Sequence, residues 1–128
     1  MYIFYNPNPN DKRTDDHNVR VMAKVLGSNW ECAFSLLTFT ACQFYEMPTS
    51  LSVLGECLKA MGYQKRVVAD GKGSEYTVKD FCRDNPVGNF VVVTNTHPIV
   101  VVGGNYYDNR DSGEEIPLYF WKNELGKV

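Results

Sequence analysis

Two histidines and the acids around them carry most of the chemistry this chain can be read for. His97 stands between two β-rich runs, 90–94 and 99–103, and Asp108 and Asp111 follow one hairpin later. A histidine on a strand rim with a carboxylate to orient it is the base-and-orienter arrangement that nucleophilic hydrolases use. The second histidine lies in Asp15-Asp16-His17-Asn18, where a helix is expected to begin. The helix dipole there disfavours a positive charge on His17, and Asp15 and Asp16 favour one. The sequence alone leaves that balance open.

Helices come first in the order of elements, strands last. The lead-in over 1–14 holds Asn6-Pro7-Asn8-Pro9-Asn10 and reads as turn-forming and non-helical. A helix is expected over 18–26, capped by Asp15 or Asp16 and stopped by Gly27. Ser28 with Glu31 reads as a capping box for a second helix, whose Trp30, Ala33, Phe34, Leu37 and Phe44 give an apolar face. Met47-Pro48 ends it. Thr49 or Ser50 caps a third helix with a stripe of Leu51, Leu54, Leu58 and Met61, closed by Gly62. A short strand is expected over 66–69 and a glycine-bearing turn over 70–74. Thr77 and Asp80 form a second capping box, and Asn85-Pro86 closes that helix. Strands are expected over 90–94, 99–103, 105–108 and 116–120, with Gly103-Gly104 as a tight hairpin. Helices followed by strands point to one α+β domain over residues 1–128 with an antiparallel sheet.

Composition narrows the function classes. The chain has 128 residues, 44% hydrophobic, with a net charge of −2. That suits one core and no more than one domain. No run of Lys or Arg exceeds two, so neither nucleic-acid phosphates nor an anionic membrane surface is an expected partner. No apolar run approaches the roughly 18 residues of a bilayer span, and the first residues lack the basic start of a signal peptide. Cys32, Cys42, Cys57 and Cys82 form no Cys-x-x-Cys pair. They read as buried reduced thiols of a cytoplasmic protein.

The segment His97-Pro98-Ile99-Val100-Val101-Val102-Gly103-Gly104-Asn105-Tyr106-Tyr107-Asp108 resembles the His-strand-hairpin-strand-Asp signature of C39-like peptidases. The whole chain is similar to small papain-like proteins of Firmicutes and their phages. Its matching landmarks include Asn6-Pro7, Asp16, Val19-Arg20, Leu26-Gly27, Trp30, Met47-Pro48, Tyr76-Thr77-Val78, Asp80-Phe81-Cys82-Arg83 and Asp111-Ser112-Gly113. The resemblance implies a papain-like (C39-like) fold, with an N-terminal helical half packed on a C-terminal antiparallel sheet. It implies that an Asp-Cys pair opens the first helix and supplies the nucleophile. This chain has Asp16-His17 there, and an imidazole cannot serve as an acyl-accepting thiolate.

Four readings follow. In the first, the protein is a pseudo-enzyme that binds a ligand in the kept cleft through Asp16, His17, Asn18, His97 and Asp108. In the second, His17, His97 and Asp108 or Asp111 converge as a metal-ligand set. In the third, Cys32 is the nucleophile of an active peptide or amide hydrolase, since Cys32-Ala33-Phe34-Ser35 echoes the papain motif; packing is the commoner use of a thiol inside a helix. The fourth takes residue 17 as a cysteine exchanged by design. Asn6, Asn8 and Asn10 could supply an oxyanion donor, although turn formation alone is the plainer reading of them. Tyr106, Tyr107, Tyr119 and Trp121 alternate through the last strands and could stack a flat ligand, with core packing the plainer use. The first reading is the expectation taken forward: a binding protein without a cofactor, plausible as a phage product that counters host defence by holding a small signalling molecule or a host protein.

Overall fold

The computed structural model describes residues 1–68 and 75–124. Its elements run β1 (Tyr2–Phe4), α1 (His17–Leu26), α2 (Trp30–Phe44), α3 (Leu51–Ala60), β2 (Tyr63–Val67), α4 (Val78–Asp84), β3 (Asn89–Thr94), β4 (Pro98–Val102), β5 (Asn105–Asp108) and β6 (Pro117–Asn123). The class is α+β. The six strands form one sheet in the order β1-β5-β4-β3-β6-β2.

The sheet is mixed, which corrects the expectation of an antiparallel one. Residues 2–4 of the supposed turn-forming lead-in are a strand that pairs parallel to β5, Tyr2 against Tyr106 and Phe4 against Asp108. The other pairings are antiparallel. Both faces of the sheet are covered, so β3 and β4 read as near-continuous apolar runs. Val91, Val100 and Trp121 stand opposite one another across three strands and face α1, α2 and α3. Val92, Ile99 and Phe120 are the next row and face α4 with Phe81 and Tyr106.

Several element ends move from their sequence-based positions. α1 starts at His17, and Asp16 makes no side-chain cap bond because its carboxylate is taken by other partners. Asn29, not Ser28, caps α2: its side chain accepts from the Cys32 N–H at 2.8 Å. Ala33 and Leu37 of α2 enter the core with Thr40 and Ala41, but Phe34 and Phe44 stay exposed. Leu51 of the third-helix stripe is likewise exposed, and Val53 and Cys57 join Leu54 and Leu58 inside. β2 begins at Tyr63, three residues early, and ends at Val67; its exposed Gln64, Lys65 and Arg66 are edge-strand residues that hide the pattern. The turn expected over 70–74 lies outside the described residues, as does Ala69. β6 begins at Pro117 and runs on to Asn123. Cys32 and Cys42 are exposed, which corrects their expected burial; Cys57 and Cys82 are buried.

Two local readings hold in detail. Thr77 and Asp80 exchange both bonds of the capping box at the start of α4. Gly103 and Gly104 take φ of +57° and +79° in the β4–β5 turn, a left-handed pair suited to a two-residue hairpin.

Candidate functional site

The start of α1, the β3–β4 turn and the end of β5 meet at one end of the sheet. α1 reaches this end because Gly27, at φ +63°, closes its last turn and because Asn18 ties its first turn to the loop before α3. The Asn18 amide donates to the carbonyls of Pro48 and Ser50, both at 2.9 Å. Asp108 is the last residue of β5, and the short hairpin sets it beside His97 at the head of β4.

His97 Nε2 and Asp108 Oδ2 are 2.6 Å apart, and both side chains are 1% exposed. A carboxylate can only accept, so Nε2 is the protonated nitrogen; in the neutral ring Nδ1 is then an acceptor. Nδ1 lies 2.7 Å from the Thr96 hydroxyl, which also lies 3.1 Å from Glu115 Oε1. Asp108 Oδ1 accepts the Asn109 N–H at 2.7 Å and faces Arg20 Nη2 at 3.4 Å. Arg20 is itself buried and pairs through its other amino group with Asp16, whose second oxygen takes the Trp30 indole N–H at 2.9 Å. The buried charges thus form a chain, Asp16–Arg20–Asp108–His97, in which each carboxylate has a cation or several donors.

Burial pushes the Asp108 carboxyl up, but the His97 bond, the neighbouring Ser112 hydroxyl and the Asn109 N–H together hold it below the usual carboxylate range. Ser112 Oγ is buried and makes no bond of full hydrogen-bond geometry among the described residues.

His17 lies against His97, ring centroids 4.8 Å apart and planes tilted by 39°. Its Nδ1 is 3.3 Å from Asp15 Oδ1, and its side chain is 35% exposed. Burial lowers the His17 pKa first, followed by the repulsion of Arg20 and His97; Asp15 and Asp108 pull the other way and lose. The balance the sequence left open therefore falls on the side of neutral imidazole. A cavity of about 300 Å³ opens beside the pair, lined by His17, His97, Thr96, Leu51, Leu118 and Tyr119 among others. Among the described residues, Asp15 is its one charged lining residue, and no Lys or Arg lines it.

Of the sequence-derived candidates, His17, Asn18 and His97 line the cavity, whereas Asp16 and Asp108 do not: they are buried in the ionic chain through Arg20. Asp111 stands apart from both: its carboxylate accepts the Tyr106 hydroxyl at 2.5 Å and the Gly113 N–H at 3.0 Å, on the far side of Tyr106. Cys32 is exposed on α2 and does not line the cavity. The asparagines are held in their own turn, with Asn6 bonded to Lys12 and Asn8, and Asn8 to Asn10. Tyr119 lines the cavity, whereas Tyr106 is core. The metal reading loses its donors: both His97 nitrogens are engaged, and among the described residues no three His, Cys, Asp or Glu side chains are grouped to hold an ion.

Arg20, Thr96 and Glu115 were not legible as site residues. The four-residue spacing of Asp16 and Arg20 signals their pairing, but nothing local signals that Arg20 also reaches Asp108. No family model, no curated protein and no solved structure matches this chain. No helix among the described residues is long and apolar enough to cross a membrane.

Proposed function

We propose that this chain is a papain-like (C39-like) pseudo-enzyme that binds a small molecule in the cavity beside His17 and His97. One observation carries the reading. The base and its orienter are present and fully buried, at 2.6 Å, yet the group set against them is a neutral imidazole rather than a thiol. Such a site can donate and accept hydrogen bonds and stack a ring, but it has no sulfur to acylate. The volume lies at the lower end of small-molecule pockets. With no Lys or Arg among the described lining residues, it suits a neutral or cationic ligand over a phosphorylated one. The phage-like resemblance extends the proposal: the occupant is a host signalling compound, or the tip of a host protein, and holding it counters host defence.

The test is release of bound small molecules from the purified protein by heat, followed by mass spectrometry. The expected result is one compound at near-stoichiometric yield, lost in Leu118→Trp, which fills the cavity from an exposed position. Empty protein from several expression hosts would count decisively against the reading.

A second reading, hydrolysis, has one observation in its favour: the Thr96 hydroxyl stands 2.7 Å from His97 Nδ1, the nitrogen a nucleophile would use. Glu115 competes for the same proton. A fluorophosphonate probe distinguishes the two readings, because an activated Thr96 would be labelled and a hydroxyl that only braces the imidazole would not.

A further inference from the structure

A second cavity, of about 250 Å³, adjoins the one beside His97, with Asp15, Asn18 and Thr49 lining both. The chemistry of His17 and His97 makes no use of it. Its wall is aromatic and acidic: Trp30 and Phe34 of α2, with Asp15 and Asp16 from the residues just before α1. The two rings are four positions apart, so they share one side of the helix and stack, centroids 5.1 Å apart and planes 8° from parallel. The Trp30 indole N–H donates to Asp16 Oδ2 at 2.9 Å. Donation to a carboxylate leaves an indole ring richer in electrons, which strengthens its pull on a cation. Among the described residues no Lys or Arg lines this cavity.

We propose that this second cavity is a binding site for an organic ammonium cation, held against the Trp30–Phe34 pair and the Asp15 carboxylate. The charges around it select this class. Arg20 pairs with Asp16 and offsets its charge, but does not line the cavity. Asp15 has His17 beside it at 3.3 Å, and burial holds that ring towards neutral, so the Asp15 charge is left for a ligand. Arg13, the nearest cation along the chain, lies over the Phe4 ring at 5.8 Å. The Asn18 amide, a donor that could hold an anion, is engaged by the Pro48 and Ser50 carbonyls. The α1 dipole favours negative charge at this end, but Asp15 and Asp16 already supply it, and a further anion would be repelled by both. A hard metal ion is a poorer fit than an alkylammonium. It needs several oxygen ligands, whereas ring faces offer a diffuse field that suits a bulky, weakly hydrated cation.

The test is titration of the isotopically labelled full chain with choline, read at the Trp30 indole N–H signal in proton–nitrogen spectra. That signal is assigned by its absence from Trp30→Phe. The uncharged isostere of choline, with tert-butyl in place of trimethylammonium, is run beside it, as is sodium chloride at equal ionic strength. The expected result is a saturable shift with choline and binding about tenfold weaker for the isostere. Asp15→Asn and Phe34→Ala, both exposed positions, should each weaken choline by about fivefold, their spectra checking that they remain folded. Leu118→Trp, which fills the first cavity, should leave choline binding unchanged, so the outcome here is separate from that of the first cavity. Absence of a saturable Trp30 shift overturns the proposal. So does equal binding of the isostere, which would make the cavity merely apolar. Binding that survives both Asp15→Asn and Phe34→Ala, or that is lost in Leu118→Trp, also overturns it, because the cation then sits elsewhere.

Discussion

The last residue of β5 and the turn just beyond it make a controlled comparison. Asp108 and Asp111 are three residues apart, and hydrogen bonds hold both carboxyls below the usual range. Asp108 is 1% exposed and joins His97, Arg20 and the Asn109 N–H at the cavity end. Asp111 is exposed and closes its own turn, with Tyr106 as its anchor. The role of a carboxylate here is set by what it is buried with, not by its distance from a histidine along the chain. A buried anion between two cationic or donor groups becomes part of a site; an exposed one braces a loop.

The largest effect should come from Asp108→Ala. Removal of one member of the buried ionic chain leaves His97 Nε2–H without its acceptor and Arg20 with Asp16 alone, at a cost of about 3 kcal/mol. Urea denaturation would read it. Asp111→Ala should cost about 1 kcal/mol through the unpaired Tyr106 hydroxyl, and ligand retention should not change. Equal losses in the two variants would break the comparison. A smaller effect sharpens it from the other side of the cavity. The His17 pKa is lowered on folding, so the unfolded chain binds the extra proton more readily. Stability from this group is therefore complete above the unfolded value of about 6.5 and falls as pH drops from there towards the folded value. Denaturation midpoints across that window should slope in the parent chain and flatten in His17→Asn, and proton NMR should place the His17 midpoint below its unfolded value.

Local signals in the sequence carried far, and long-range ones did not. The Thr77/Asp80 box, the Gly27 stop and the Gly103-Gly104 hairpin involve neighbours in the chain, and each stands where its residues put it. β1 was missed because three residues gain a strand only by pairing with β5, about a hundred positions away. The apolar face of α2 was misassigned because Phe34 and Phe44 are apolar but not inward. At the site, His97 and Asp108 could be picked out as a pair, Asp108 being favoured over Asp111 because it closes a strand and Asp111 precedes a Ser-Gly turn; the burial that separates the two is not encoded in their spacing. Arg20 could not be placed against Asp108, because 88 positions separate them.

The central claim is that residue 17 occupies a nucleophile's position before the His97–Asp108 pair. It is tested most directly by His17→Cys in a Cys32→Ser, Cys42→Ser background. The measurement is the pH dependence of iodoacetamide alkylation at residue 17, repeated with His97→Gln. The account predicts a thiol titrating well below the ordinary value of about 8.5, moved back towards that value when His97 is replaced. A thiol that titrates ordinarily, and is indifferent to His97, would contradict it.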